Sequence, residues 1–175
     1  IGFAAGALAV GGGIAAVMLA GFFQAQMQTI NTIAFQTPEA LSKIGDGIRK
    51  VALDTGQSLD DLTGAYYDLL SAGVKTADAQ SVLNNAVTLG IGGLATTTQT
   101  VDLLTTAYNA YGLTAAQTTQ ATDMFAQAIA DGKVKADEIS ESFANVASIA
   151  KAYGVGIDQI AASYGFLTAQ GVPAA

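Results

Sequence analysis

One short connector occurs three times in this chain: a helix-like run ends, a glycine follows, then an apolar residue, then a fresh helix start. It reads SAGVKTAD around Gly73, AYGLTAAQ around Gly112 and AYGVGIDQ around Gly154. The glycines stand 39 and 42 residues apart. Just past a helix C-terminus the backbone often turns left-handed, where a Cβ clashes and glycine does not. The Val or Leu after each glycine can pack back on the last turn. Thr114 with Gln117, and Ser58 with Asp61, have the spacing of capping boxes. A period near 40 residues made of two helices falls in the range of helical repeats. Three unrelated αα-hairpins sharing cap chemistry would read the same way. Either way the expected fold is all-α: a hydrophobic N-terminal helix, a connector helix, then about three helix-turn-helix hairpins packed as one helical domain. The expected division is 1–35, 36–57 and 58–175.

Composition removes several classes of function. The chain carries 14 acidic and 7 basic residues, a formal net charge of −7. A nucleic-acid surface normally clusters Lys and Arg to displace counterions, so this balance disfavours one. There is no Cys and no His. That leaves no disulfide frame, no thiol nucleophile, no Cys-based metal site and none of the commonest general base. Neither an enzyme nor a cofactor or metal site is expected. Charged residues make up 12% of the chain, about half the usual share, with Ala, Gly, Thr and Gln in their place. A surface so poor in charge suggests an assembly.

From Ile1 to Phe23 there is no charged side chain, and the first formal charge is Glu39. A 23-residue helix at 1.5 Å per residue is long enough for a hydrocarbon core of about 30 Å. Gly2 and Gly6 form a small-xxx-small pair of the kind that lets helices approach closely in lipid. The triplet Gly11-Gly12-Gly13 weakens a helix there by about 1 kcal/mol per residue, and Lys, Arg, Trp and Tyr anchors are missing from the flanks. The segment is therefore expected to meet a membrane, or to pack as a glycine-hinged helix inside a protein assembly. Its candidate contact residues are Gly2, Gly6, Leu8, Val10, Ile14, Val17, Leu19, Phe22 and Phe23.

Further on, apolar residues recur at helical spacing. Met27, Ile30, Ile33 and Ala34 make one stripe. Thr37-Pro38-Glu39 restarts a helix, with Thr as cap, Pro at the first position and Glu in the positive first turn. Leu41, Ile44, Ile48, Val51 and Ala52 then form its inner face. The first hairpin places Leu59, Leu62, Ala65, Tyr66 and Leu69 inward, then Ala79, Val82, Leu83, Ala86 and Val87. Leu89 to Leu94, with three glycines, reads as a helix breaker; its spacing is no phosphate loop. The second hairpin starts at one of Thr96, Thr97 and Thr98, with Val101, Leu104, Ala107, Tyr108 and Tyr111 inward, then Ala121, Met124, Phe125, Ala128 and Ile129. These aromatics read as core rather than as a ligand box. In the third, Asp137, Glu138 and Glu141 have the types of an acid/base pair or cation site, but first-turn carboxylates stabilise a helix dipole without any chemistry. Its stripes are Ile139, Phe143, Val146, Ala147 and Ala150, then Ile157, Ile160, Ala161, Tyr164 and Leu167, closed by Gly171.

The wording of the last stretch adds to its periodicity. GKVKADEISESFANVASIAKAYGVGIDQIAASYGFLTAQGV resembles the core segment of phage tail tape measure proteins. The matching positions are Glu138, Phe143, Ala147, Ala150, Gly154, Val155, Asp158, Ala161, Ala162, Gly171 and Val172. LLSAGVKTADAQSVLNNAVTLG and VDLLTTAYNAYGLTAAQTTQATDMFAQA are similar to the preceding blocks, so Gly73, Gly112, Gly154 and Gly171 are the family-motif turn positions. The resemblance runs from about Thr37 to Val172.

The resemblance implies a structural, non-catalytic part of a virion. Tape measure proteins are long helical chains that set tail length, occupy the tube lumen and leave with or before the DNA. The implied partners are sister copies, with a trimer expected, the tail tube, and distal tail or baseplate hub proteins. The host membrane joins them during ejection, through residues 1–23, and DNA is implied only as a neighbour in the tube. The chain is expected to be a piece of a longer polypeptide. The rival reading is a membrane-anchored or pore-forming helical protein unrelated to tails.

Overall fold

In a computed structural model, the backbone is described from Phe3 to Ala174, and side chains for Met18 and from Ala20 to Ala174. Among the described residues eight helices follow one another, and there is no strand. They are α1 (Phe3–Ala34), α2 (Pro38–Thr55), α3 (Leu59–Ser71), α4 (Thr76–Gly92), α5 (Thr97–Tyr111), α6 (Ala115–Asp131), α7 (Ala136–Ala152) and α8 (Ile157–Ala169).

Local chemistry sets these boundaries. Thr37 caps α2 by accepting the Ala40 amide at 3.3 Å, with Pro38 at the first helical position. Of the three candidate threonines, Thr96 caps α5. From α5 onward a Gln or Glu three residues after the cap reaches back to the cap amide: Gln99 to Thr96, Gln117 to Thr114, Glu138 to Lys135 and Gln159 to Gly156, at 2.9–3.1 Å. Each satisfies a donor that the helix start leaves orphaned. The expected box at Ser58 is one-sided. Its hydroxyl accepts the Asp61 amide at 3.0 Å, but the Asp side chain is one methylene shorter than Glu and the return bond is not formed.

The helices form two rows. α3 packs between α1 and α5, and α5 carries α7; α4 packs between α2 and α6, and α6 carries α8. Each hairpin thus sets its first helix in one row and its second in the other, and the two strongest contacts, α5 with α7 and α6 with α8, run along the rows. This is the layout of a stacked helical repeat, in which each unit buries its faces on its neighbours. The buried residues form one cluster from Phe23 in α1 to Ala161 in α8. Tyr66, Phe125 and Phe143 are its largest fully enclosed side chains.

Two further sequence expectations change. The expected breaker at Leu89–Leu94 is mostly helix, since α4 runs through Gly90 to Gly92. Leu59, Val146 and Leu167, expected inward, are exposed; no element among the described residues packs over Val146 and Leu167.

Candidate interaction surface

The hairpin turns share one hydrogen-bond pattern. Gly73, Gly112, Gly154 and Gly171 have φ of 87°, 64°, 77° and 88°. After each of them the next amide donates to a carbonyl five residues back: Val74 to Leu69, Leu113 to Tyr108, Val155 to Ala150 and Val172 to Leu167, at 2.9–3.0 Å. This is the six-to-one bond of a Schellman turn. The α4–α5 turn copies it, with Ala95 donating to Gly90 at 2.9 Å. There Leu94, at φ 56°, takes the left-handed place. Gly93 is committed elsewhere: a Cβ on it would stand 2.7 Å from the Ala136 Cβ, and its carbonyl accepts the Ala136 amide at 3.1 Å.

Side chains lace successive turns together. Asn109 donates to the Ala72 carbonyl at 2.9 Å, and the Tyr111 hydroxyl donates to the Val155 carbonyl at 3.2 Å. The Tyr111 ring stacks on Phe143 with centroids 6.4 Å apart, and Phe143 meets Phe125 edge-on at 5.2 Å. Lys151 Nζ lies 5.3 Å from the Tyr111 ring centroid. These aromatics are structural. Burial pushes the Tyr66 hydroxyl up to about 12. Burial also raises Tyr164, against the lowering effect of the hydrogen bond from Ser142 at 2.8 Å. A raised phenol is a poorer proton donor at neutral pH.

Of the three carboxylates with the types of a chemical site, two are used by the backbone. Glu138 accepts the Lys135 amide and Asp137 accepts the Glu138 amide at 2.9 Å. Among the described residues, no group of three or more His, Cys, Asp or Glu side chains could hold a metal ion. Across the first row, Asp102 on α5 is raised by desolvation first and by the charge of Asp68 on α3 second.

Of the apolar N-terminal contact residues, Gly2 lies outside the described residues. So do the side chains of Leu8, Val10, Ile14, Val17 and Leu19, and any packing at Gly6. Phe22 is 70% exposed, whereas Phe23 is buried in the chain's own core. Phe23 lies over Gly45 of α2, and the Arg49 guanidinium stands 4.4 Å from its ring centroid. Phe23, Met27, Ile30 and Ala34 are the buried face of α1. Among the described residues no helix is long and apolar enough to cross a membrane.

Apolar surface lies open at the far end of the stack. Val146, Ile149 and Tyr153 on α7, Phe166 and Leu167 on α8, and Val172 beyond it are all exposed. Sequence periodicity placed Val146 and Leu167 inside and gave no signal for this face. The only sign was the run of apolar residues wider than one stripe on α7 and α8.

A family described as phage-related minor tail protein matches residues 45–175. The tape measure protein of Pneumococcus phage Dp-1 is 26% identical over 172 residues, covering 98% of this chain and 14% of that relative. No solved structure matches the chain.

Proposed function

Because this chain belongs to the phage-related minor tail protein family, we propose that it is a structural segment of a tail tape measure protein, one that sets tail length during tube assembly. The observation that carries this reading is the match to a tape measure protein along nearly the whole chain. The stacked helices support it: Glu138 is engaged in a helix cap, Tyr66, Tyr108, Tyr111 and Tyr164 lie in or against the core, and an apolar face is open at the last hairpin. In this reading residues 58–175 are a hairpin domain that meets tube, distal tail or hub proteins and sister copies, as a trimer. Residues 36–57 connect it to residues 1–35, the apolar segment that meets the host membrane as the genome passes. The chain resides in the tail, in the tube lumen or at the tip, and takes no cofactor and catalyses no reaction.

Quantitative proteomics of purified tails tests the placement. Peptides from residues 39–151 are expected in intact tails and depleted in tails that have released their DNA. Their absence from intact tails would overturn the reading. A membrane role for residues 1–35 is tested separately: dye release from vesicles by the chain, lost on truncation to residue 36, is the expected result. Equal release by the truncated chain would remove that role.

A further inference from the structure

The two rows repeat closely enough to compare equivalent positions. Ser58, Thr96 and Lys135 are the cap residues of α3, α5 and α7. Eleven residues after each stand Leu69, Ala107 and Val146. Leu69 and Ala107 are fully buried, and Val146 is 42% exposed. In the other row the caps are Lys75, Thr114 and Gly156. Eleven residues on stand Ala86, Phe125 and Leu167. The first two are fully buried and Leu167 is 45% exposed. One repeat position in each row is therefore sealed in the two inner hairpins and open in the last, and the two open positions face one groove.

That groove lies between α7 and α8. It has a volume of about 270 Å³ and is lined by Val146, Val155, Ile160, Tyr164, Leu167 and Ala174, among others. α7 and α8 pack far more on α5 and α6 than on each other, which keeps it open. Inside the stack the matching space between α3 and α4 is covered by α5, which touches both. A repeat of this kind stays soluble when its terminal units turn a polar face outward. Here the last unit turns out Val146, Ile149, Tyr153, Leu167 and Val172.

We propose that the α7–α8 groove is the seat of a ninth helix of the same polypeptide, carried by sequence C-terminal to Ala174, so that the stack continues beyond the third hairpin. The chain is already directed there. After the left-handed turn at Gly171, Pro173 and Ala174 line the groove. The relative is far longer than this chain, since the match covers 14% of it. The occupant presents apolar side chains at helical spacing on the face that meets Val146 and Leu167, as α5 does toward α3 and α4. The proposal rests on the tape measure reading only for the existence of that further chain.

Cysteine accessibility tests it, because the chain has no Cys of its own. Val146→Cys and Leu167→Cys replace exposed residues of this chain, and Ala126→Cys at an exposed position of α6 serves as reference. Each is made in the full-length tape measure chain and in the 175-residue chain, with circular dichroism to establish that both are folded. The expected result is that positions 146 and 167 react at a rate close to position 126 in the short chain. In the full-length chain they should react about tenfold or more slowly than position 126, at every protein concentration. Rapid reaction in both chains means an empty groove and overturns the proposal. Protection in the short chain that grows with its concentration means that a second copy fills the groove, which also overturns it. Tail length depends on neither outcome, so failure here leaves the family reading untouched.

Discussion

The Tyr111 hydroxyl donates to the Val155 carbonyl across 3.2 Å, joining the turn after α5 to the turn after α7. With the Asn109 bond to Ala72, it makes α5 the link between three successive hairpin turns. Stability along the stack should therefore be sensitive at α5 and insensitive at the open end.

Tyr111→Phe removes the hydroxyl and keeps the ring on Phe143. A loss of about 0.5–1.5 kcal/mol is expected for one hydrogen bond, or roughly 2–4 °C in Tm per kcal/mol for a chain of this size. Phe143→Ala empties a fully buried site and should cost about 3–5 kcal/mol. Tyr153→Ala, on a side chain that is 85% exposed, should stay within about 0.5 kcal/mol. Thermal melts of the three variants check the order. A cost at Tyr153 equal to that at Phe143 would contradict it.

Three glycines give three different responses to alanine. Gly64, within α3, has open space where a Cβ would go, so Gly64→Ala should stabilise by about 0.5–1 kcal/mol. Gly112 has equally open space but φ 64°, so Gly112→Ala should destabilise by about 1–2 kcal/mol, with Asn better tolerated than Ala. Gly93 has an ordinary φ of −96°, yet its Cβ would collide with Ala136 and Ile129. Gly93→Ala should therefore destabilise, and Asn should be worse. Chemical denaturation midpoints of the Ala and Asn pairs separate backbone strain from crowding.

These glycines also show what the sequence carries and what it withholds. Gly73, Gly112, Gly154 and Gly171 were legible because a turn after a helix has local grammar, and all four adopt positive φ. Gly93 was not, because its reason is Ala136, which lies 43 residues away in the chain. The stripes on α2 to α6 were legible for the same local reason, since most of their residues are buried. Row packing was not, because periodicity names a buried face and not the helix that covers it. The same limit explains Val146 and Leu167, apolar at inward spacing but without a neighbour. It explains Phe23 as well: it ends an uncharged run and also begins the core stripe continued by Met27 and Ile30.

Asp102 carries a pH dependence. Desolvation first, and the charge of Asp68 second, raise its carboxyl above the ordinary 3.8. The folded state then binds its proton more tightly than the unfolded state, so stability falls as pH rises through the folded value. Asp102→Asn should therefore be more stable than the parent chain at neutral pH. The difference should shrink on acidification and disappear below the ordinary value. Denaturant midpoints measured from about pH 7 down to about pH 3 check this. A difference that grows on acidification would reverse the sign and reject the explanation.

Tail length is the most direct test that this chain is part of a ruler. An in-frame deletion is made in a helical stretch of the parent gene outside residues 1–175, and tails are measured by electron microscopy. Shortening by about 1.5 Å for each residue removed, the rise of an extended α-helix, is expected. Viable particles with tails of unchanged length would contradict it.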